Sequence, residues 1–282
     1  MTSQALGFLE DKVDVRSVSH EGNRFVVSLL PYEETTTYKK GTAHGPEAIV
    51  EASGHIELLD ETLRVDASKH GIATVRPSIT DLASITTHVK ELSQSRPDAL
   101  PGFLGGEHSI TPAILAGLGR RDIGIVWIDA HSDLRSSFCG RADNHACAGY
   151  HSAEFGPIVQ IGIRSLAAEE AEYLDRSDRV RAFRDWDDQP RQAIRALPKD
   201  VYITFDLDGF SPMLMRAVGT PEPGGLTWEE AMQILDMVYG EKTVIAYDVV
   251  ELCPDDHDVV SSFTAARLVY KMMGYYTHHT LR

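Results

Sequence analysis

Short apolar runs recur along the chain, and each one ends in polar or glycine residues. The runs are rich in β-branched residues and do not alternate with polar positions, which predicts strands covered on both faces of a sheet. The predicted strands are Phe25 to Leu30, Pro101 to Gly105, Gly124 to Asp129, Ile158 to Ile163, Val201 to Asp206 and Thr243 to Val250.

Segments with helical spacing lie between these strands. They are Gly45-Pro46-Glu47 and the residues after it, Ser109 to Leu118, the helix opened by Thr227-Trp228-Glu229-Glu230, and Phe263 to Met273. Pro46 suits a first helical turn, and Thr227 followed by Glu230 is a capping-box pattern. Alternating strands and helices predict a three-layer α/β/α fold with a mostly parallel sheet. No linker or repeat divides the chain, so we expect residues 1–282 to form a single domain.

Composition narrows the class of protein. Hydrophobic residues make up 43% of the 282 residues, as in a globular chain, and Lys+Arg 27 against Asp+Glu 42 gives a net charge of −15. This acidity argues against nucleic acid and anionic membranes as partners and suits a small cationic ligand. No apolar stretch of about 18 residues occurs, so we expect no membrane span.

The cysteines and the N-terminal residues predict a cellular location. Cys139, Cys147 and Cys253 are an odd number without the spacing of a disulfide framework, which predicts free thiols in a reducing cytoplasm. Met1 to Val15 contains no basic region followed by an apolar one, so we expect no signal peptide. The basic run from Arg176 to Arg184 is interrupted by aspartates and is interpreted as a solvated face.

Polar side chains follow four of the predicted strands. They are His108, then Asp129, His131 and Asp133, then Asp206 and Asp208, and finally Glu251. Ligands of such sheets bind outside the carboxyl ends of the strands, so these side chains are expected to meet. Because strand side chains alternate between faces, Asp206 and Asp208 would point the same way in an extended chain. The same holds for Asp129, His131 and Asp133.

The cluster as a whole indicates metal binding. A single aspartate at a strand end usually caps a helix or a turn. The aspartates at positions 129, 133, 206 and 208 together carry charges that are costly to desolvate unless cations neutralise them, and two divalent cations would suffice. Carboxylates combined with neutral imidazoles suit Mn²⁺ better than a thiolate-bound zinc.

Three segments resemble the signature motifs of the ureohydrolases, the arginase and agmatinase family. They are Gly105-Gly106-Glu107-His108-Ser109, Asp129-Ala130-His131-Ser132-Asp133 and Thr204-Phe205-Asp206-Leu207-Asp208. Gly219 to Gly225 resembles the extension of the third motif, and the similarity runs from Pro31-Tyr32 to Glu251. The resemblance implies an arginase-like fold, two Mn²⁺ per subunit, a homo-oligomer (trimer or hexamer) and hydrolysis of a small cationic guanidino substrate to urea and an amine.

The resemblance also implies a role for each site residue. One manganese would be bound by His108, Asp129, Asp133 and Asp206, and the other by His131, Asp129, Asp206 and Asp208. Asp129 and Asp206 would therefore bridge the two ions. Asp133 would pass a proton to the leaving amine, His145 would shuttle protons, and Glu251 would pair with the guanidinium group.

Departures from the family pattern bear on the substrate. Glu107 stands where Asp is common, and Cys147-Ala148-Gly149-Tyr150 follows the shuttle histidine where agmatinases often have Arg. Asp133-Leu134-Arg135 is closer to the agmatinase branch, because arginases tend to have Asn at the third position. Agmatine, cleaved to putrescine and urea, is therefore the expected substrate. Arginine, 4-guanidinobutyrate, 3-guanidinopropionate and free guanidine stay open.

Two other classes of protein also stay open. A catalytically inactive, metal-binding homologue would be expected to have lost some ligands, yet every ligand position is filled. A dinuclear hydrolase of phosphate esters would use Arg135 or Arg164 to hold an anion, whereas Glu251 at the same edge favours a cation. The sequence contains no phosphate-binding glycine motif of the G-x-x-x-x-G-K type.

Overall fold

The computed structural model describes residues 7–10, 12 and 22–281, and most of Met1 to Val15, where we expected no signal peptide, lies outside them. The described residues form one sheet of β1 (Phe25–Leu30), β2 (Ile72–Val75), β3 (Leu100–Gly105), β4 (Gly124–Ile128), β5 (Ile158–Ile161), β6 (Val180–Phe183), β7 (Asp200–Asp206) and β8 (Thr243–Val250). Every pairing is parallel, in the order β2-β1-β3-β8-β7-β4-β5-β6. The predicted parallel sheet is confirmed.

The α-helices of the described residues are α1 (Gly45–Ser53), α2 (Leu82–Ser95), α3 (Ile110–Leu118), α4 (Ala148–Ser152), α5 (Ala168–Arg176), α6 (Asp188–Ala196), α7 (Trp228–Glu241) and α8 (Val259–Thr280). The capping box of α7 is present, because Glu230 N donates to Thr227 Oγ1 at 3.2 Å and Thr227 N donates to Glu230 Oε2 at 2.8 Å. The last helix is longer than predicted and begins after Asp258, which caps it. None of these helices is both long and apolar enough to cross a bilayer.

Two apolar cores lie on opposite faces of the sheet. One packs against α1, α6, α7 and α8, and the other packs against α2, α3, α4 and α5. In β4, Val126 and Ile128 belong to the first core, whereas Ile125 and Trp127 belong to the second. Burial on both faces explains why these strands are almost continuously apolar. The predicted three-layer α/β/α arrangement is confirmed; that it extends over all of 1–282 stays a prediction.

The edge strands β2 and β6 were not predicted. β6 lies inside the basic run that we interpreted as a solvated face. Val180 is buried there, and the Arg181 guanidinium lies over the Phe183 ring, 5.3 Å from its centroid. An edge strand is short and half exposed, so its sequence has few apolar positions to identify it.

The four central strands, β3, β8, β7 and β4, carry the predicted site at their carboxyl ends. Their order is not sequential, and such a switch in strand order opens a crevice at the sheet edge. The expected extended alignment is wrong, however, because β4 ends at Ile128. Asp208 lies in a short 3-10 turn, Leu207–Gly209, and Asp133 has a φ of +52°. Turns, rather than strand alternation, bring these side chains together.

Candidate metal centre and its cavity

His108 follows β3 and is oriented by a buried chain of hydrogen bonds. Its Nε2 lies 2.8 Å from Thr204 Oγ1, and that hydroxyl donates to Asp248 Oδ1 at 2.6 Å. A hydroxyl has one proton to donate, so Thr204 accepts from Nε2–H of His108. Nδ1 is therefore the nitrogen of the neutral ring that carries a lone pair.

This Nδ1 faces three carboxylates. It lies 3.1 Å from Asp129 Oδ2, 3.1 Å from Asp206 Oδ2 and 3.5 Å from Asp133 Oδ2. Although these distances are short, Nδ1 is buried and none of the described residues gives it a hydrogen bond of acceptable geometry. A buried lone pair beside anionic oxygens is unfavourable without a cation between them. The donor set therefore fits a metal ion.

A second group of ligand atoms lies next to the first. His131 Nδ1 is 3.0 Å from Asp208 Oδ2 and 3.7 Å from Asp129 Oδ1. Asp129, His131 and Asp208 form one set, and His108, Asp129 and Asp206 form the other, with the ligand atoms of each set within 4.8 Å of one another. Asp129 belongs to both sets, so two cations held here would share it.

Asp129 is itself fixed by its neighbours. Trp127 Nε1 donates to Asp129 Oδ2 at 2.9 Å, and His131 N donates to Asp129 Oδ1 at 2.6 Å. The Trp127 ring also stacks on the His108 ring, with centroids 4.3 Å apart. One tryptophan of β4 thus positions two candidate ligands, as partners behind a metal ligand commonly do.

Burial and like charge shift the protonation of the cage. Burial raises the pKa of Asp206 well above its usual value, and the Asp208 and Asp129 carboxylates raise this pKa further. Burial alone would lower the pKa of His131, but hydrogen bonds and charge from Asp129 and Asp208 raise it to about 12. The cage therefore binds protons tightly, and a metal ion has to displace them.

Glu251 follows β8 and is 8% exposed. Its Oε1 accepts a hydrogen bond from His108 N at 2.7 Å, which leaves Oε2 available to a ligand. Burial raises the pKa of Glu251 to about 8. A buried carboxylate with one uncommitted oxygen is suited to a planar cationic partner.

Asp133 and Glu251 both adopt the left-handed backbone conformation, with φ of +52° and +67°. For residues with a Cβ this conformation costs roughly 1–2 kcal/mol. It turns the chain sharply just beyond β4 and β8 and directs both carboxylates toward the crevice.

These residues surround one cavity of about 290 Å³. Its lining includes His131, Asp133, His145, Asp206, Asp208 and Glu251, together with Tyr38, Arg135 and Phe138. His108 and Asp129 are buried and are not among its lining residues. Burial lowers the pKa of His145, which favours the neutral imidazole that a proton shuttle requires.

Arg135 is engaged by acidic side chains. Its guanidinium nitrogens lie 3.5 Å from Glu169 Oε1 and 3.7 Å from Glu170 Oε2. The guanidinium also lies 4.4 Å from the centroid of the Phe138 ring. Its charge is therefore largely balanced by carboxylates rather than held available for an anionic ligand.

Arg164 is engaged by main-chain carbonyls. It donates to Asp208 O at 2.8 Å, Glu222 O at 3.0 Å and Pro223 O at 3.1 Å, among others. It joins the turn that carries Asp208 to the loop containing Glu222. This use of its donors disfavours the phosphate-ester hydrolase that the sequence had left open.

Sequence reasoning missed the residues that support the cage, namely Trp127, Thr204 and Asp248. A signal was present, because Thr204 and Asp248 interrupt apolar strands and are fully buried. Asp248 also accepts hydrogen bonds from Tyr202 at 2.6 Å and from Thr111 at 2.7 Å. Polar residues inside apolar strands are therefore worth testing as partners of a site at the strand ends.

Known proteins share this architecture. The model of the family described as Arginase family matches residues 23–274. The chain is 36% identical to the N(1)-aminopropylagmatine ureohydrolase of Synechocystis sp., over 98% of this chain and 95% of that protein. It is 35% identical to the agmatinase of Pyrococcus horikoshii, over 89% and 91%. The structure of the agmatine ureohydrolase of Thermoplasma volcanium is similar with a TM-score of 0.85 at 28% identity, covering 98% and 96% of the two chains.

Proposed function

The chain belongs to the arginase family and is a metal-dependent ureohydrolase, and we propose that it hydrolyses agmatine to urea and putrescine. The observation that carries this proposal is the placement of Glu251 beside the acidic cage in one cavity. A guanidinium group that pairs with the uncommitted Oε2 of Glu251 would have its central carbon next to the metal ligands.

We further propose that the cage holds two Mn²⁺ ions. His108, Asp129, Asp133 and Asp206 would hold one, and His131, Asp129, Asp206 and Asp208 would hold the other. Carboxylate oxygens with two imidazole nitrogens match the preference of this ion. When bound, such a pair of divalent ions lowers the pKa of water and so supplies a nucleophile near neutral pH.

The protein residues supply orientation and proton transfer. Hydrolysis forms a bond between the water oxygen and the guanidinium carbon and breaks the bond from that carbon to the chain nitrogen. Asp133, in the cage, would accept the proton that the attacking water loses and transfer it to the leaving nitrogen. His145, in the cavity wall, would relay protons between the reacting groups and solvent.

The surroundings of the cavity support agmatine over arginine. The α-carboxylate of arginine needs a cationic partner, and Arg135 is already balanced by Glu169 and Glu170. The distal ammonium of agmatine instead meets an acidic protein, with a net charge of −15. Guanidino acids are disfavoured for the same reason as arginine.

N(1)-aminopropylagmatine is a second candidate substrate. It is favoured by the 36% identity to a relative that carries this name. Its additional amine would find acidic side chains nearby, since Glu170 lines the cavity and Glu169 lies 3.5 Å from the lining residue Arg135. A trimeric or hexameric assembly and a cytoplasmic location stay predictions.

A urea-release panel on manganese-loaded protein tests the proposal. The panel contains agmatine, N(1)-aminopropylagmatine, arginine, 4-guanidinobutyrate, 3-guanidinopropionate and guanidine. We expect the highest kcat/KM for agmatine, and a higher value for the aminopropyl compound would assign the second candidate. A tenfold preference, about 1.4 kcal/mol, for a carboxylate-bearing substrate would refute both. Absence of urea from every compound would indicate an inactive homologue, and cleavage of p-nitrophenyl phosphate would indicate a phosphoesterase.

A further inference from the structure

His145 is held by a threonine that is distant in the sequence. Thr35 Oγ1 lies 3.0 Å from His145 Nδ1 and accepts a hydrogen bond from His145 N at 2.9 Å. The same hydroxyl donates to Glu107 Oε1 at 2.7 Å. Thr35 is 7% exposed and Glu107 is fully buried, so water competes little for these hydrogen bonds.

The direction of these hydrogen bonds fixes the tautomer of His145. Thr35 gives its one hydroxyl proton to Glu107, so the oxygen can only accept from the imidazole. His145 Nδ1 therefore carries the hydrogen. In the neutral ring Nε2 then holds the lone pair, and it is the nitrogen left for the cavity.

Glu107 is well suited to anchor this arrangement. Its Oε2 accepts from Glu34 N at 2.8 Å and from Thr35 N at 2.6 Å. Its Oε1 accepts from Ser109 Oγ at 2.6 Å in addition to the Thr35 hydroxyl. Donors contact both oxygens of Glu107, so this carboxylate acts only as an acceptor. It has no proton to donate to Thr35, and the hydrogen bonds therefore run from His145 to Thr35 and from Thr35 to Glu107.

We propose that Thr35 and Glu107 are positioning residues that hold His145 in the Nδ1–H tautomer, so that Nε2 exchanges protons with the reacting groups. The inference rests on the proposed function, in which His145 is the proton shuttle. The tautomer itself follows from the hydrogen bonds alone.

This arrangement also stabilises the protonated state of the shuttle. When Nε2 accepts a proton, the positive charge spreads to Nδ1, where it meets the Thr35 oxygen backed by the Glu107 carboxylate. The proton on Nδ1 and the hydroxyl proton of Thr35 stay where they are, and Glu107 stays an ionised acceptor. Thr35 and Glu107 act as an oriented dipole and a charge, in the way that a buried aspartate supports a catalytic histidine.

The kinetic test compares two substitutions of Thr35. Thr35→Val keeps the shape and removes the hydroxyl, whereas Thr35→Ser keeps the hydroxyl. We expect Thr35→Val to lower kcat about tenfold or more with KM changed less than about threefold, because proton transfer contributes about 10²–10⁴-fold to rate. Thr35→Ser should restore most of the kcat. Thr87→Val, on an exposed part of α2, is the matched control for a threonine-to-valine change.

A double-mutant cycle separates positioning from a general structural effect. In a His145→Ala background, Thr35→Val should cause no further loss, because the residue through which it acts is gone. If the double variant loses activity by the product of the two single-variant losses, the proposal is overturned. Equal activity of Thr35→Val and Thr35→Ser would also overturn it. Metal content and thermal unfolding of each variant show whether the cage and fold are intact.

A spectroscopic test depends neither on activity nor on any change at Thr35. Metal-free wild-type protein labelled with ¹⁵N-histidine is examined by long-range ¹H–¹⁵N correlation, with the His145 signals assigned by their loss in His145→Ala. We expect the Nδ1–H pattern, and an Nε2–H pattern would overturn the inference. If no guanidino compound releases urea, the proposed function fails while this measurement still decides the tautomer.

Discussion

Replacement of Glu251 by glutamine isolates the charge that the cavity offers to a guanidinium group. The amide keeps the size of the side chain and an oxygen that can accept from His108 N, as Glu251 Oε1 does at 2.7 Å. What changes is the atom at the position of Oε2, which becomes an NH₂ group and faces the N–H donors of the substrate. Removal of one partner from a buried, hydrogen-bonded charge pair costs about 2–5 kcal/mol. At about 1.36 kcal/mol per tenfold change, kcat/KM should fall between about 30-fold and about 5,000-fold.

The assay is urea release from agmatine at several concentrations, with the metal content of each preparation measured in parallel. Manganese content should stay at the wild-type value, because Glu251 lies outside both sets of candidate ligands. Glu172→Gln is the matched control, since it removes the same charge from a side chain that is 72% exposed on α5. Unchanged kinetics in Glu251→Gln would refute the guanidinium-binding role. Loss of metal together with activity would show that Glu251 supports the cage instead.

Three further predictions address the metals and Arg135. Asp129→Asn should lose both metal ions, and His108→Ala should lose mainly one. Elemental analysis after manganese reconstitution measures this, and two ions retained in Asp129→Asn would contradict the role of Asp129 as a shared ligand. Arg135→Ala should change kcat/KM for agmatine and arginine by the same factor, whereas a selective loss with arginine would show that Arg135 binds the carboxylate. Without metal, the pKa of His131 is raised to about 12. Protonated His131 therefore stabilises the metal-free fold fully below about pH 6.5, and this stabilisation is lost as the pH rises toward 12. Mn²⁺ displaces these protons, so the rise in Tm on adding MnCl₂ should grow between about pH 6.5 and pH 9; a constant rise would contradict this.

The central strands were predictable because their environment is simple. β4 and β7 are covered by helices on both faces, and their sequences are nearly all apolar. The edge strands gave no such signal, since β6 alternates buried Val180 with exposed Arg181. Helix α2 was missed although Ile85, Val89 and Leu92 have helical spacing and are buried. The other residues of α2 are mostly polar, so these three apolar positions were not recognised as one buried helix face.

The candidate ligands were predictable for a different reason. Each lies at the carboxyl end of a central strand or in the turn after it, and parallel strands place their carboxyl ends at one edge. Their supporting residues were harder to identify. Thr35 and His145 are 110 positions apart, and no local pattern links a loop threonine to a histidine at that separation. Hydrogen-bond direction, which assigns the tautomers of His108 and His145, requires the three-dimensional arrangement.

The left-handed backbone at Asp133 and Glu251 sets activity against thermal stability at two positions. Glycine adopts this conformation without the roughly 1–2 kcal/mol that a side chain adds, but it has no carboxylate to offer. In a mutant library sorted for resistance to heat alone, glycine should accumulate at these positions, and in one sorted for urea release the acids should persist. Equal residue frequencies in the two libraries would show that the strain is relieved elsewhere. The chain thus carries, in the lining of its cavity, two acidic residues whose backbone conformation glycine would adopt at lower cost.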